Sequence, residues 1–227
     1  MRVVVVGGHG KVALRVARLL CERGDEVTAL IRNPDHAADV RDSGANPVVF
    51  DVEAAKESAF VDVFVGHDAV VWSAGAGGGN PSRTYAVDRD AAIRSMEAAL
   101  EAGVRRYVMV SYFGARPDHG VPEGDSFHPY AEAKAAADAF LLDSDLDWTI
   151  LGPSRLTDAP GGGVSVSRVA HEPGGAAVRE TGAEGQVKGS VSRDAVAAVV
   201  VASLHDPATI NTRLEFNDGP DHPADAW

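Results

Sequence analysis

The sequence predicts an α/β fold: a doubly wound parallel sheet with helices on both faces, followed by a C-terminal elaboration. Three observations carry that expectation. Short β-branched runs alternate with Ala-, Leu-, Arg- and Glu-rich stretches of helical spacing as far as about residue 151. The strand runs are continuously apolar, as strands covered on both faces are. Beyond them, residues 152–191 turn rich in Gly, Pro, Ser and charge.

The elements follow in order. Val3 to Val6 is the first strand, running straight into a glycine turn with no cleavage-site pattern, so the N-terminus reads as a strand and not as a signal peptide. Val12, Val16, Leu19 and Leu20 recur at helical steps on one apolar face, and Gly24 stops that helix. Glu26 to Ile31 is the second strand; Pro34 then opens a helix that Gly44 closes. Pro47 to Phe50, Ala69 to Trp72, Tyr107 to Val110 and Trp148 to Leu151 are the next strands. Ala91 to Ala102, ended by Gly103, and Phe127 to Leu142 are helices between them. Val164 to Val169 is strand-like, Ser192 is a candidate N-cap for a helix to Leu204, and Arg213 to Phe216 is a last short strand. One domain spans 1–227, with a core of 1–151 and 192–204 and the elaboration in 152–191 and 205–227, because the latter stretches are too poor in apolar residues to make a core alone.

Composition narrows the function classes. The chain has 227 residues, 45% hydrophobic and 24% charged, which excludes wholesale disorder. Its net charge of −12 repels phosphate backbones, so nucleic acid is not expected as a partner. The apolar run around Ala195 to Ala202 is too short to span a bilayer, so no membrane association is expected. One cysteine, Cys21, excludes a disulfide framework. A cytoplasmic enzyme or binding protein acting on a small molecule remains, as a monomer or homodimer.

The turn Gly7-Gly8-His9-Gly10-Lys11-Val12-Ala13 lies between the first strand and the first helix. In that context, backbone N–H groups and the positive end of a helix dipole converge on one spot suited to a pyrophosphate. The end of the second strand selects the nucleotide. A fold that binds NAD carries Asp or Glu there for the ribose 2′-hydroxyl. Here Arg32, followed by Asn33, offers a guanidinium that suits a 2′-phosphate, so NADP(H) is preferred over NAD(H). Asp51-Val52, after the third strand, either meets the adenine or starts the next helix. Ser73-Ala74-Gly75, after the fourth, is small enough for a cofactor to lie against the backbone.

Tyr130 and Lys134 lie four residues apart on one helix face. Four tyrosines and four lysines in this chain produce that spacing by chance only about 0.07 times. A nearby ammonium favours the phenolate, lowers the tyrosine pKa and makes it an acid/base for hydride transfer to or from a nicotinamide. The lysine also suits the nicotinamide ribose.

On these residues, with the strand Val108-Met109-Val110-Ser111, the segment Trp148 to Pro153 and the segment Ser192 to Ala197, the chain resembles the short-chain dehydrogenase/reductase superfamily over nearly its whole length. It is most similar to the atypical, compact NAD(P)H-binding branch, which includes reductase-like and epimerase-like proteins. The resemblance implies a Rossmann core with a small C-terminal substrate lobe. It implies a cofactor stretched along the C-terminal strand edge, with Pro153 and Ser154 near the nicotinamide, and Ser111 beside the substrate oxygen. It departs from the family at Gly152, where relatives carry Arg and where glycine widens the site or removes an anion contact. The implied activity is NADP(H)-dependent hydride transfer, in either direction, between the cofactor and a small carbonyl, quinone or flavin-like substrate. The alternatives are an NADP(H)-binding sensor with little turnover and a sugar epimerase or dehydratase. None of the eight histidines shows metal-ligand spacing, so no metal is expected.

Overall fold

The computed structural model describes residues 1–170, 178–179 and 188–227. His171 and most of 171–187 of the expected lobe lie outside those residues.

The chain opens with β1 (Arg2–Val6), α1 (Lys11–Glu22), β2 (Glu26–Ile31), α2 (Ala37–Asp42) and β3 (Asn46–Val49). It continues through α3 (Glu57–Phe64), β4 (Ala69–Trp72), α4 (Pro81–Thr84), a π-helical stretch at Tyr85–Ala91, α5 (Ala92–Glu101) and β5 (Arg106–Val110). Then follow α6 (His128–Leu142), β6 (Asp147–Pro153), β7 (Arg155–Thr157), β8 (Gly163–Ala170), β9 (Val178–Arg179), β10 (Ser190–Ser192), α7 (Arg193–His205) and β11 (Thr212–Gly219). The main sheet runs β3-β2-β1-β4-β5-β6-β11-β8-β9, parallel from β3 to β11 and antiparallel at β8 and β9. Its first six strands have the order of a Rossmann sheet, with the direction of winding reversing between β1 and β4.

The four valines of β1 explain the two layers. All are fully buried. Val3 and Val5 join one core cluster with Val12, Val16 and Leu20 of α1 and Val196 and Val200 of α7. Val4 and Val6 join the other, with Phe60 and Phe64 of α3, Met96 of α5 and Leu141 of α6. Alternate side chains point to opposite faces, so a strand with helices on both sides must be apolar at every position. Trp72 and Trp148 are core residues, as their strands require.

Local signals set the helix ends. Gly24 and Gly44, at φ +88° and +90°, follow α1 and α2. The Ser192 hydroxyl caps α7 by accepting from Ala195 N–H at 3.0 Å.

Three placements differ from the sequence reading. Thr212–Gly219, grouped there with the lobe, is a strand of the main sheet, paired with β6 and β8. The helix expected from Ala91 already begins at Pro81, where the Asn80 side chain accepts from Arg83 N–H, and passes through the π-helical stretch. Helix α3 starts at Glu57, with Lys56 at its N-cap position, and not at Asp51; it is short and anchored mainly by Phe60 and Phe64. Outside the main sheet, β7 and β10 pair in parallel.

Candidate functional site

The carboxyl ends of β1 to β6 border a groove whose two halves enclose about 330 and 370 Å³ and share Gly10, Ser73, Ala74 and Gly75. The floor is backbone against backbone. Gly7 has φ +81°, and a Cβ there would lie 2.6 Å from Ala74 Cα. A Cβ on Gly8 would lie 2.6 Å from Ala29 Cβ. Only glycine permits both contacts.

No side chain caps α1 at Gly10, and its first intrahelical bond runs from Leu14 N–H to Gly10 O at 2.9 Å. The amides of Lys11, Val12 and Ala13 therefore precede the helical ladder, at the positive end of the helix dipole. That donor set fits a diphosphate.

One half of the groove is lined by His9, Arg32, Asn33, Asp51 and Val52. Arg32 is exposed and has no ion pair or hydrogen bond among the described residues. Asn33 and Asp51 are partly spent on local turns: their carboxamide and carboxylate oxygens accept from Asp35 N–H and Glu53 N–H, each at 3.0 Å. His36 and Arg83, which the sequence did not mark, also line this half. The His36 ring stacks on His9 at 3.6 Å, and Arg83 is held by Glu53 at 2.8 Å.

The other half holds Lys11, Val12, Ser111, Tyr130, Pro153 and Ser154, with Tyr112, Asp88 and Arg193 beside them. The Ser154 hydroxyl accepts from Gly189 N–H at 3.2 Å. Gly152 does not widen the site: a Cβ there would lie 3.1 Å from both Glu215 Cγ and Tyr112 O, so neighbours already take that space.

The structure brings together every sequence-predicted residue except Lys134, which lies below the groove surface. Lys134 is 1% exposed, and its ammonium donates to Val110 O at 2.9 Å and to Met109 Sδ at 3.1 Å. Burial lowers its pKa, and the negative charges of Asp138 and Asp88 oppose that. The Tyr130 phenol is not drawn down as the sequence reading expects. Burial, then the charges of Asp88 and Asp138, hold it above its ordinary value. Ser111 is likewise engaged: its hydroxyl donates to Asp138 Oδ2 at 2.6 Å, the oxygen that also accepts from Arg213 Nη2 at 2.9 Å. The proton expected to polarise a substrate oxygen points into the protein.

Asp88 is the residue sequence reading missed most plainly. It sits on the π-helical stretch, 1% exposed, and accepts from Ala76 N–H at 2.9 Å. Burial raises its carboxyl above the usual range. The Asn80-Pro81 start signal would have placed it inside a helix. π-helical turns cluster at functional sites.

His119, His128 and Glu132 bring ligand-type atoms within 4.8 Å of one another. Val121 N–H donates to His119 Nδ1 at 3.0 Å, which puts the ring proton on Nε2, facing Glu132 at 2.8 Å. Metal ligation at Nε2 would need the proton on Nδ1, against that N–H, so His119 and Glu132 form a hydrogen-bonded latch for the loop before α6, with His128 3.9 Å from the same carboxylate.

Comparison with known proteins agrees with this geometry. Residues 7–207 match the model of a family described as NAD(P)H-binding. The chain is 31% identical over 221 residues to "uncharacterized sugar epimerase YhfK" of Bacillus subtilis, covering 96% of this chain and 95% of that one. It is 32% identical over 223 residues to UPF0659 protein YMR090W of Saccharomyces cerevisiae, covering 96% and 94%. A solved structure from Bacillus halodurans, assigned as an NAD-dependent epimerase/dehydratase, superposes with a TM-score of 0.84 at 30% identity, covering 99% of this chain and 97% of that one. With its glycine turn at the reversal of a Rossmann sheet, this chain belongs to the NAD(P)H-binding family.

Proposed function

We propose that this chain is an NADPH-dependent oxidoreductase that reduces a small carbonyl, quinone or flavin-like acceptor. One observation carries the reading: a single groove holds the unpaired Arg32 guanidinium at one end, the uncapped start of α1 in its middle and the Tyr130 phenol at the other. Arg32 meets the 2′-phosphate, and the amides of Lys11 to Ala13 meet the diphosphate. The bound dinucleotide supplies hydride chemistry. Tyr130 supplies the proton. With its pKa above the ordinary value, the phenol arrives protonated, the state in which it delivers a proton to a carbonyl oxygen. Lys134, buried one helical turn on, is engaged by Val110 O and Met109 Sδ, and the charges that act on the phenol are those of Asp88 and Asp138.

The test is a fluorescence titration of NADPH and NADH into the wild type and Arg32→Ala. The wild type is expected to prefer NADPH by about tenfold, roughly 1.4 kcal/mol, and the variant to lose that preference. Failure of both nucleotides to bind would overturn the reading. A second reading, a cofactor sensor with little turnover, is favoured by the capture of the Ser111 hydroxyl by Asp138. It predicts NADPH binding without oxidation by any acceptor. Cofactor retained through purification would favour an epimerase instead.

A further inference from the structure

Beside Tyr130, three half-buried rings form a cluster at the mouth of the groove. Tyr112 and Phe127 meet edge to face at 5.2 Å, while Phe127 and Tyr130 at 5.2 Å and Tyr112 and Tyr130 at 5.6 Å are tilted against each other. The other ring cluster, Phe50, Phe60 and Phe64, is anchored by two fully buried members packed under the sheet. The cluster at the mouth is different: all three rings keep exposed surface, and Tyr112 and Tyr130 line the groove. Tyr112 comes from the segment after β5, while Phe127 and Tyr130 flank and enter α6, so the cluster is assembled by the fold around the proton donor.

Lys188 completes it. Its ammonium stands 5.6 Å from the Tyr112 centroid and 5.3 Å from the Phe127 centroid, within cation–π range. The side chain is exposed and has no carboxylate partner among the described residues, in a chain of net charge −12. A cation with no carboxylate partner among the described residues, beside aromatic rings, presents an anion site and a stacking surface in one place.

We propose that the acceptor is a planar aromatic carbonyl compound carrying an anionic substituent, its ring on Tyr112, Phe127 and Tyr130 and its anion at Lys188. This rests on the hydride-transfer reading. The carbonyl carbon gains a hydride from the reduced dinucleotide, the π electron pair moves to oxygen, and oxygen takes the Tyr130 proton. The acceptor is reduced by two electrons to the alcohol, the dinucleotide is oxidised, and water returns a proton to the phenolate.

Four aldehydes separate ring from charge: 4-carboxybenzaldehyde, benzaldehyde, succinic semialdehyde and butanal. With NADPH saturating, kcat/KM is expected to be highest for 4-carboxybenzaldehyde, by about tenfold over each of the others. Lys188→Ala should reduce the ratio of 4-carboxybenzaldehyde to benzaldehyde by about tenfold, and Phe127→Leu should reduce the ratio of either aryl aldehyde to its aliphatic counterpart. Equal rates for succinic semialdehyde and 4-carboxybenzaldehyde would overturn the proposal, as would unchanged ratios in both variants. If none of the four oxidises NADPH while menadione or FMN does, the carbonyl acceptor proposed here is overturned and hydride transfer stands; if none of these acceptors does, the hydride-transfer reading fails, and calorimetry on the NADP⁺-loaded protein judges the surface separately. Benzoate binding more tightly than butyrate, with the difference reduced in Lys188→Ala, supports the aromatic anion site; equal binding of the two acids removes it.

Discussion

The Ser111 hydroxyl donates to Asp138, 2.6 Å away across the gap between β5 and α6. Asp138 in turn holds Arg213 of β11 at 2.9 Å, and Arg213 also donates to the Ala115 carbonyl. A residue at the rim of the groove is thereby tied to a buried ion pair that joins three elements.

Ser111→Ala is therefore expected to act on stability. It deletes a hydrogen bond to a buried carboxylate and costs about 1–2 kcal/mol in urea unfolding. Reduction by NADPH should fall by less than about threefold, whereas loss of a donor to the developing oxyanion costs about a hundredfold or more. A drop of the larger size would return Ser111 to the catalytic role.

Tyr130 makes a prediction about pH. A phenol serves as an acid only while protonated, so the function is present below its pKa and lost as pH rises through it. Because burial and the charges of Asp88 and Asp138 raise that pKa, the rate of reduction should show no descending limb from Tyr130 below about pH 10, the ordinary tyrosine value. Tyr130→Phe should abolish turnover at every pH while leaving NADPH binding in place. A fall centred near neutral pH in the wild type, missing from an otherwise active Tyr130→Phe, would contradict both statements.

Asp88 bears on folding. Its carboxyl is raised above the usual range by burial, so the unfolded chain ionises first and the folded state is penalised as pH climbs through the unfolded value of about 4. Asp88→Asn keeps an oxygen acceptor for Ala76 N–H and removes the charge. The variant is expected to be more stable than wild type by about 1 kcal/mol at pH 8, with the gain vanishing near pH 3. Urea unfolding at the two pH values checks both the size and the sign.

Asp158 spans Lys11 and Arg193, 3.0 Å from each, and both cations line the half of the groove next to the diphosphate turn. A carboxylate there competes with any phosphate for the same two charges. Asp158→Asn should tighten NADPH binding by about threefold at low salt, and the gain should shrink as salt screens the cations. Weaker binding in the variant would mean that Asp158 positions Lys11 and Arg193 for the ligand.

The parts of this molecule that could be read from its residues are those set by local chemistry. The four valines of β1 announce a strand with two covered faces, the run from Gly7 to Ala13 announces a strand-to-helix turn, and Ser192 caps its helix as its type suggests. What stayed hidden depends on distant partners. Tyr130 and Lys134 do share a helix, but whether the ammonium faces the phenol or Val110 O is decided by the strand beneath. Ser111 and Asp138 are 27 residues apart, and no spacing rule links them. The π-helical stretch at Tyr85–Ala91 has no periodic signature, so Asp88 drew no notice. β11 is legible as a short strand at Arg213 to Phe216, but its membership of the main sheet is fixed only by the register with β6 and β8.

The backbone-to-backbone floor where Gly7 abuts Ala74 divides the molecule into parts that can and cannot change. Any side chain at Gly7 would force β1 and β4 apart, so that contact tolerates no drift. The groups proposed to distinguish one ligand from another, Arg32 and Lys188, are exposed side chains, one lining the groove beside β2 and the other beside the Tyr112 ring. Each can be exchanged without repacking a core, and neither exchange touches the other. A lineage, or an engineer, starting from this scaffold could thus alter its nucleotide and its acceptor one at a time, on a foundation that stays fixed.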